Sequence, residues 1–205
     1  MEVGKDRLHE NSDIACITGG NIDSYVIKSV KYIDKQTFQD FKKDQKLFSS
    51  SKILVRETGN RLFATIDDSG LITTRSIYNI IKAEESYSLS FILGVINSDL
   101  FVYYFKQFIA PKTKLFPKIR IAQLKKLPIP KIDFENTTHK KTYDEIARLV
   151  EGITALQEEC NNIDLPTHIE QLHSNINYNK RQINNLVYEL YSLDKAERKL
   201  VEESI

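Results

Sequence analysis

Residues Lys52–Asp67, "KILVRETGNRLFATID", set two short apolar runs on either side of a polar stretch with a glycine at its middle. β-branched and aromatic residues fill both runs, so the segment reads as a β-hairpin whose turn lies at Thr58–Asn60. Working outward, Ile14 to about Thr74 reads mostly as strands, with further turns at Gly19-Gly20 and at "DDSG" (Asp67–Gly70). Gly59 and Gly70 are expected to supply the positive φ those turns need. "YVIKSVKYI" (Tyr25–Ile33) alternates poorly but has strand composition.

Beyond this β region the period changes. "SYSLSFILGVINSDLFVYYFKQFI" (Ser86–Ile109) places Leu89, Ile92, Leu93, Ile96, Leu100 and Tyr103 or Tyr104 at spacings of three and four. It reads as a helix, or two helices broken near Asn97-Ser98, with Ser86 or Ser88 as N-cap. In "LFPKIRIAQLKKLPIPKI" (Leu115–Ile132), Pro117, Pro128 and Pro130 exclude a continuing helix and leave "KIRIAQL" room for a short strand or one helical turn.

Two seven-residue repeats follow: Ile146, Leu149, Ile153, Leu156, Cys160, Ile163, then Ile169, Leu172, Ile176, Asn179, Ile183, Leu186, Leu190, Leu193. "DLPT" (Asp164–Thr167) separates them, with a cap residue and an early helical proline. The pattern predicts an antiparallel, coiled-coil-like helical hairpin and a short last helix over "LDKAERKLVEES". The expected fold class is therefore α+β: a mixed body over residues 1–135 and a helical appendage over 136–205.

The chain has 205 residues, 41% hydrophobic, enough for a sizeable core without covalent staples. Its longest apolar runs are broken by Gly94, Asn97 and Asp99, and the N-terminus lacks the apolar core of a secretory signal. A soluble cytoplasmic protein, with no membrane partner, is the expectation. Cys16 and Cys160 lie far apart with no paired Cys/His cluster, which suggests neither a disulfide framework nor a zinc site. The single methionine, Met1, leaves open whether the chain is a natural subunit or a piece of a longer one.

Charge is uneven. Residues 1–105 carry 13 Lys plus Arg against 14 Asp plus Glu, and residues 132–205 carry 8 against 14. Between them, Lys106–Lys131 holds eight cations and no acid: Lys106, Lys112, Lys114, Lys118, Arg120, Lys125, Lys126 and Lys131. Interleaved Phe108, Phe116, Ile119 and Ile121 offer an apolar face for anchoring. Such a segment is suited to phosphates, where every neutralised charge releases counterions.

Phosphate contacts position a protein, whereas base edges must be read by other side chains. For that role the candidates are Arg56, Arg61, Arg75, Lys118 and Arg120, with Asn60, Asn79 and Asn97. Arg56 and Arg61 have a competing use, a cross-strand pair with Glu57 or Asp67. No nucleotide- or methyl-donor-binding glycine loop, Asn-Pro-Pro-Tyr loop or clustered carboxylate site is present in the sequence. Glu197 with Lys199, and Cys160 with His168 and His173, lack the spacing of a nuclease or metal site. The expectation is a non-catalytic chain with no metal.

"KILVRETGNRLFATID", "TTRSIYNII", "LSFILGVINSDLFVYYFK", "LFPKIRIAQLKKLPIP" and "INNLVYELYSLDKAE" occur in an order that resembles the C-terminal specificity domain of TaqI-like DNA adenine methyltransferases and of bifunctional restriction and modification enzymes. The opening "ITGGNIDSYVI" fits as well. The resemblance implies a target recognition domain that docks on double-stranded DNA. Methyl transfer with S-adenosylmethionine, and cleavage where the parent has it, then reside in a module of the same or a partner chain. It implies DNA contacts near Lys112–Arg120 and on the turns around Arg56–Arg61 and Thr73–Arg75. The alternative is a protein assembly module in which the heptads pair between chains and the lysines are solvated surface.

Overall fold

The computed structural model describes residues 13–34, 48–81, 87–110 and 117–205. Eight strands come first: β1 (Asp13–Ile17), β2 (Ile22–Asp23), β3 (Val26–Ile27), β4 (Lys31–Asp34), β5 (Lys52–Arg56), β6 (Ala64–Asp67), β7 (Ile72–Thr73) and β8 (Ile77–Ile81). They form three small sheets, ordered β4-β1-β7, β2-β3 and β6-β5-β8. The expected hairpin is β5–β6, antiparallel from Lys52 opposite Asp67 to Val55 opposite Ala64. The Tyr25–Ile33 segment is interrupted, giving β3 and β4 rather than one strand.

β5 is an unbroken apolar run because both of its faces are covered. Ile53 and Val55 enter the main core with the helices, while Leu54 enters a second core with Ile17, Ile22, Leu71 and Ile77. All three are fully buried, each contributing roughly 1.5–3 kcal/mol of transfer free energy. Lys52 shares the alternation with Leu54 and is fully buried too. Its ammonium meets Asp67 Oδ2 at 2.5 Å and donates to the Phe48 carbonyl at 2.8 Å. Asp67 also accepts from the Ser69 and Leu71 amides, so no lone pair of this buried charge is wasted.

Gly70 has the expected positive φ, +79°. Gly59 does not. Its need for glycine is spatial: a Cβ there would lie 2.8 Å from the Phe63 ring and 3.1 Å from the Arg61 carbonyl oxygen.

Six α-helices follow Ile81 among the described residues: α1 (Leu89–Asn97), α2 (Asp99–Tyr104), α3 (Ile121–Leu124), α4 (Thr137–Asn162), α5 (Pro166–Leu190) and α6 (Lys195–Glu202). Ser88 caps α1 by accepting from the Phe91 amide at 3.0 Å. The break expected near Asn97-Ser98 falls at Ser98, which separates α1 from α2. α2 then widens into a π turn, Phe105–Ile109, closed by the Ala110 amide on the Phe105 carbonyl. Buried Asn97 pairs its side-chain carbonyl and amide with the Ala64 backbone at the start of β6, where the Tyr25 amide also donates to the Ala64 carbonyl.

α4 and α5 are the two arms of the helical hairpin. Pro166 occupies the first turn of α5, but its N-cap is Leu165, which has no side-chain acceptor, and not a polar residue of "DLPT". Ile146, Leu149 and Ile153 of α4 and Leu172, Ile176 and Ile183 of α5 are buried. α1 lies between the sheet and this hairpin, packing on β5 and β6 from one side and on α4 from the other. Gly94 permits the approach, since a Cβ there would sit 2.7 Å from Ile146 Cγ2 and 3.0 Å from Val150 Cγ2. The architecture is α+β, as the sequence implies. No single helix among the described residues is long and apolar enough to cross a membrane.

Candidate nucleic-acid interface

Four segments far apart in sequence converge at one end of the β body. The turn after β5 is stitched to the stretch that begins at Pro117: the Gly59 amide donates to the Pro117 carbonyl at 3.1 Å, the Ile119 amide to the Glu57 carbonyl at 2.9 Å, and Thr58 and Lys118 form an antiparallel bridge. On its other side the Glu57 amide donates to the Ser76 carbonyl at 2.9 Å. Ser76 Oγ in turn accepts from the Gly19 amide at 2.9 Å. Gly19 must be small here, because a Cβ would come within 3.0 Å of the Ser76 carbonyl oxygen and 3.2 Å of Arg56 Cγ.

Ile119 anchors the cluster. It is 1% exposed, and its carbonyl accepts from the Tyr78 hydroxyl at 3.2 Å. The residues on either side, Lys118 and Arg120, remain exposed. This is the apolar anchor expected of the basic segment, but Ile119 carries it alone among the described residues proposed for it. Phe108 and Ile121 are 69% and 55% exposed. Phe116 lies outside the described residues.

The expected DNA-contacting residues divide by position. Arg75 is exposed in the turn between β7 and β8, adjoining Ser76. Arg120 is exposed at the start of α3, its amide held by Gln123 Oε1 at 2.8 Å. Lys118 pairs with Glu57 at 3.2 Å, yet its side chain is 64% exposed. An exposed pair of this kind is worth about 0–1 kcal/mol, so Lys118 is readily exchanged to another anion. Arg56 lies half-buried with its guanidinium 5.3 Å from the centre of the Phe63 ring. Lys112 and Lys114 lie outside the described residues.

Lys106 and Arg61 turn elsewhere. Lys106, on the π turn, donates to the Ser204 carbonyl at 2.7 Å and to the Ile205 oxygen at 3.1 Å, compensating the carbonyl end of α6. Arg61 reaches the Asn97 carbonyl at 3.0 Å, where α1 meets α2. There it joins a charged group with Asp99 and Lys180, and burial lowers the Lys180 pKa, with Arg61 adding to the fall. Neither arginine takes the cross-strand partner the sequence offered: Asp67 is bound to Lys52, and Glu57 to Lys118.

Of the three asparagines, Asn60 is exposed on the hairpin turn, Asn79 donates to Thr73 Oγ1 at 2.9 Å, and Asn97 is buried against β6. Lys125, Lys126 and Lys131 are exposed past Arg120. The organising roles of Glu57, Ser76 and Tyr78 escape a reading of the sequence, because their partners lie 19 to 62 positions away. Among the described residues, no three His, Cys, Asp or Glu side chains gather as a metal site.

The geometry thus offers an outward cationic rim of Arg75, Lys118 and Arg120 on loops fixed by backbone hydrogen bonds. None of the curated proteins matches the chain. A family model does match it over residues 14–129, from β1 to the prolines that precede α4, spanning more than half of its length and every segment of the loop cluster. The chain belongs to the TaqI-like C-terminal specificity domain family.

Proposed function

We propose that this chain reads DNA sequence for a restriction–modification enzyme and is not itself the catalyst. The loop end of the β body meets double-stranded DNA, with Lys118, Arg120 and Arg75 on phosphates and the hairpin turn Arg56–Asn60 nearest the bases. Lys112 and Lys114 extend the same cationic run. Methyl transfer belongs to a separate module, in the same or a partner chain, that holds S-adenosylmethionine. The α4–α5 hairpin acts as scaffold for that partner, and the cytoplasm is the compartment in which the work is done.

The observation that supports this reading is the convergence of Arg56–Asn60, Thr74–Ser76 and Lys118–Arg120 on one face, in a chain of a specificity-domain family. A polyanion explains why cations gather there in a chain of net charge +1. Five phosphate contacts give an affinity that falls with salt at a log–log slope of roughly −4 to −5 on duplex DNA.

The test is a fluorescence-anisotropy titration of a random-sequence duplex at rising salt, comparing the chain with a variant in which Lys112, Lys114, Lys118 and Arg120 are alanine. The slope should flatten by roughly 3 to 4 and binding at low salt should weaken more than about tenfold. Unchanged binding would remove the basic segment from the mechanism.

A further inference from the structure

Among the segments that build the loop cluster, Gly19–Asn21, Arg56–Asn60, Thr74–Ser76 and Pro117–Arg120, the sole acidic side chain is Glu57. A carboxylate on a face that meets phosphates opposes binding unless it has a task of its own. Glu57 is also held in place. Its amide is bound to Ser76 and its carbonyl to Ile119, each at 2.9 Å. Its Oε2 lies 3.2 Å from Lys118 Nζ. The Tyr78 hydroxyl lies near enough that, after burial, the charge of Glu57 raises its pKa. The side chain is nevertheless 24% exposed, so it is not sealed from the face that Lys118 shares.

An ionised carboxylate only accepts hydrogen bonds. On a duplex the donors it can meet are exocyclic amines, and in the major groove the amine that pairs best with Glu is cytosine N4. A backbone phosphate offers it nothing. Lys118, beside it and more exposed, has the opposite preference.

We propose that Glu57 is a specificity-determining residue of this face, its carboxylate accepting from the N4 amine of a cytosine in the major groove while Lys118 leaves it for a phosphate. The assignment rests on the DNA-recognition reading above. It makes one acid the reader and its neighbouring cation the clamp.

The experiment selects binders from a duplex library with a randomised central segment, using the full chain, Glu57→Gln and Lys118→Met. The wild-type chain should enrich cytosine at one position by about fivefold or more over the other bases. In Glu57→Gln, whose amide suits adenine, that one preference should be lost or pass to adenine while the remaining positions keep theirs. Lys118→Met should select the wild-type sequence with lower affinity. Identical sequences selected by Glu57→Gln and wild type would overturn the assignment, as would Lys118→Met losing the same position, since Glu57 would then act only by placing the lysine. A wild-type chain that binds no duplex would instead overturn the DNA-recognition reading beneath it.

Discussion

The Gly59 amide donates to the Pro117 carbonyl oxygen at 3.1 Å, tying the hairpin turn to the segment that presents Lys118 and Arg120. The contact depends on a turn with no room for a side chain, as Phe63 and the Arg61 carbonyl occupy the space a Cβ would fill. Gly59→Ala should therefore cost about 1–3 kcal/mol through overpacking, and weaken DNA binding beyond what stability explains by displacing Lys118. Urea denaturation and anisotropy on the same variant check both. A variant that matches wild type in each would show that the two loops are not mechanically joined.

α1 approaches the helical hairpin at Gly94 with no room for a side chain, against Ile146 and Val150. Gly94→Ala gains up to about 1 kcal/mol of helix propensity and loses more to the clash. A net destabilisation of about 1–2 kcal/mol is expected. Because the two residues touch, the double variant Gly94→Ala/Ile146→Ala should be less destabilised than the sum of its parts. Additive effects in a double-mutant cycle would contradict this packing.

Lys52 and Asp67 are both fully buried and directly opposed across β5 and β6. Removing one partner strands the other, so Lys52→Met should cost about 3–5 kcal/mol, far more than an exposed pair is worth. Denaturation midpoints decide this. A loss below about 1 kcal/mol would mean that Asp67 finds compensation from the Ser69 and Leu71 amides alone.

Burial holds the Asp99 carboxyl above the ordinary carboxylate range; Arg61 and Lys180 pull it back and Glu202 adds to the rise. With the folded pKa above the unfolded one, the group's contribution is fully present below about pH 4 and is lost as pH rises through the folded value. Asp99→Asn should abolish that loss while still accepting from the Asn184 amide. Urea midpoints measured from pH 4 upward should fall less steeply for the variant than for wild type. Parallel curves would contradict the shift.

The hairpin, the start of α1 at Ser88 and the two long helical arms were legible in the sequence because each is set by local chemistry: a polar turn, an N-capping serine, a period of three and four. The loop cluster was legible only in its parts. "KIRIAQL" and "RETGNR" announce charge, but a linear run cannot say that Lys106 turns to the end of α6 or that Arg61 turns to the α1–α2 junction, since those directions are set by the π turn and by tertiary packing. Gly59 was read as a φ requirement when the cause is a ring from four residues on. Glu57 looked like a partner for a neighbouring arginine; strand pairing gave it to Lys118 instead.

The most direct test of where DNA lies is hydrogen–deuterium exchange of the full chain with and without a bound duplex. Protection should concentrate in peptides covering residues 18–21, 56–61, 74–77 and 117–126 and be small along the outer faces of α4 and α5. Protection confined to the hairpin, with those loops unchanged, would contradict the account.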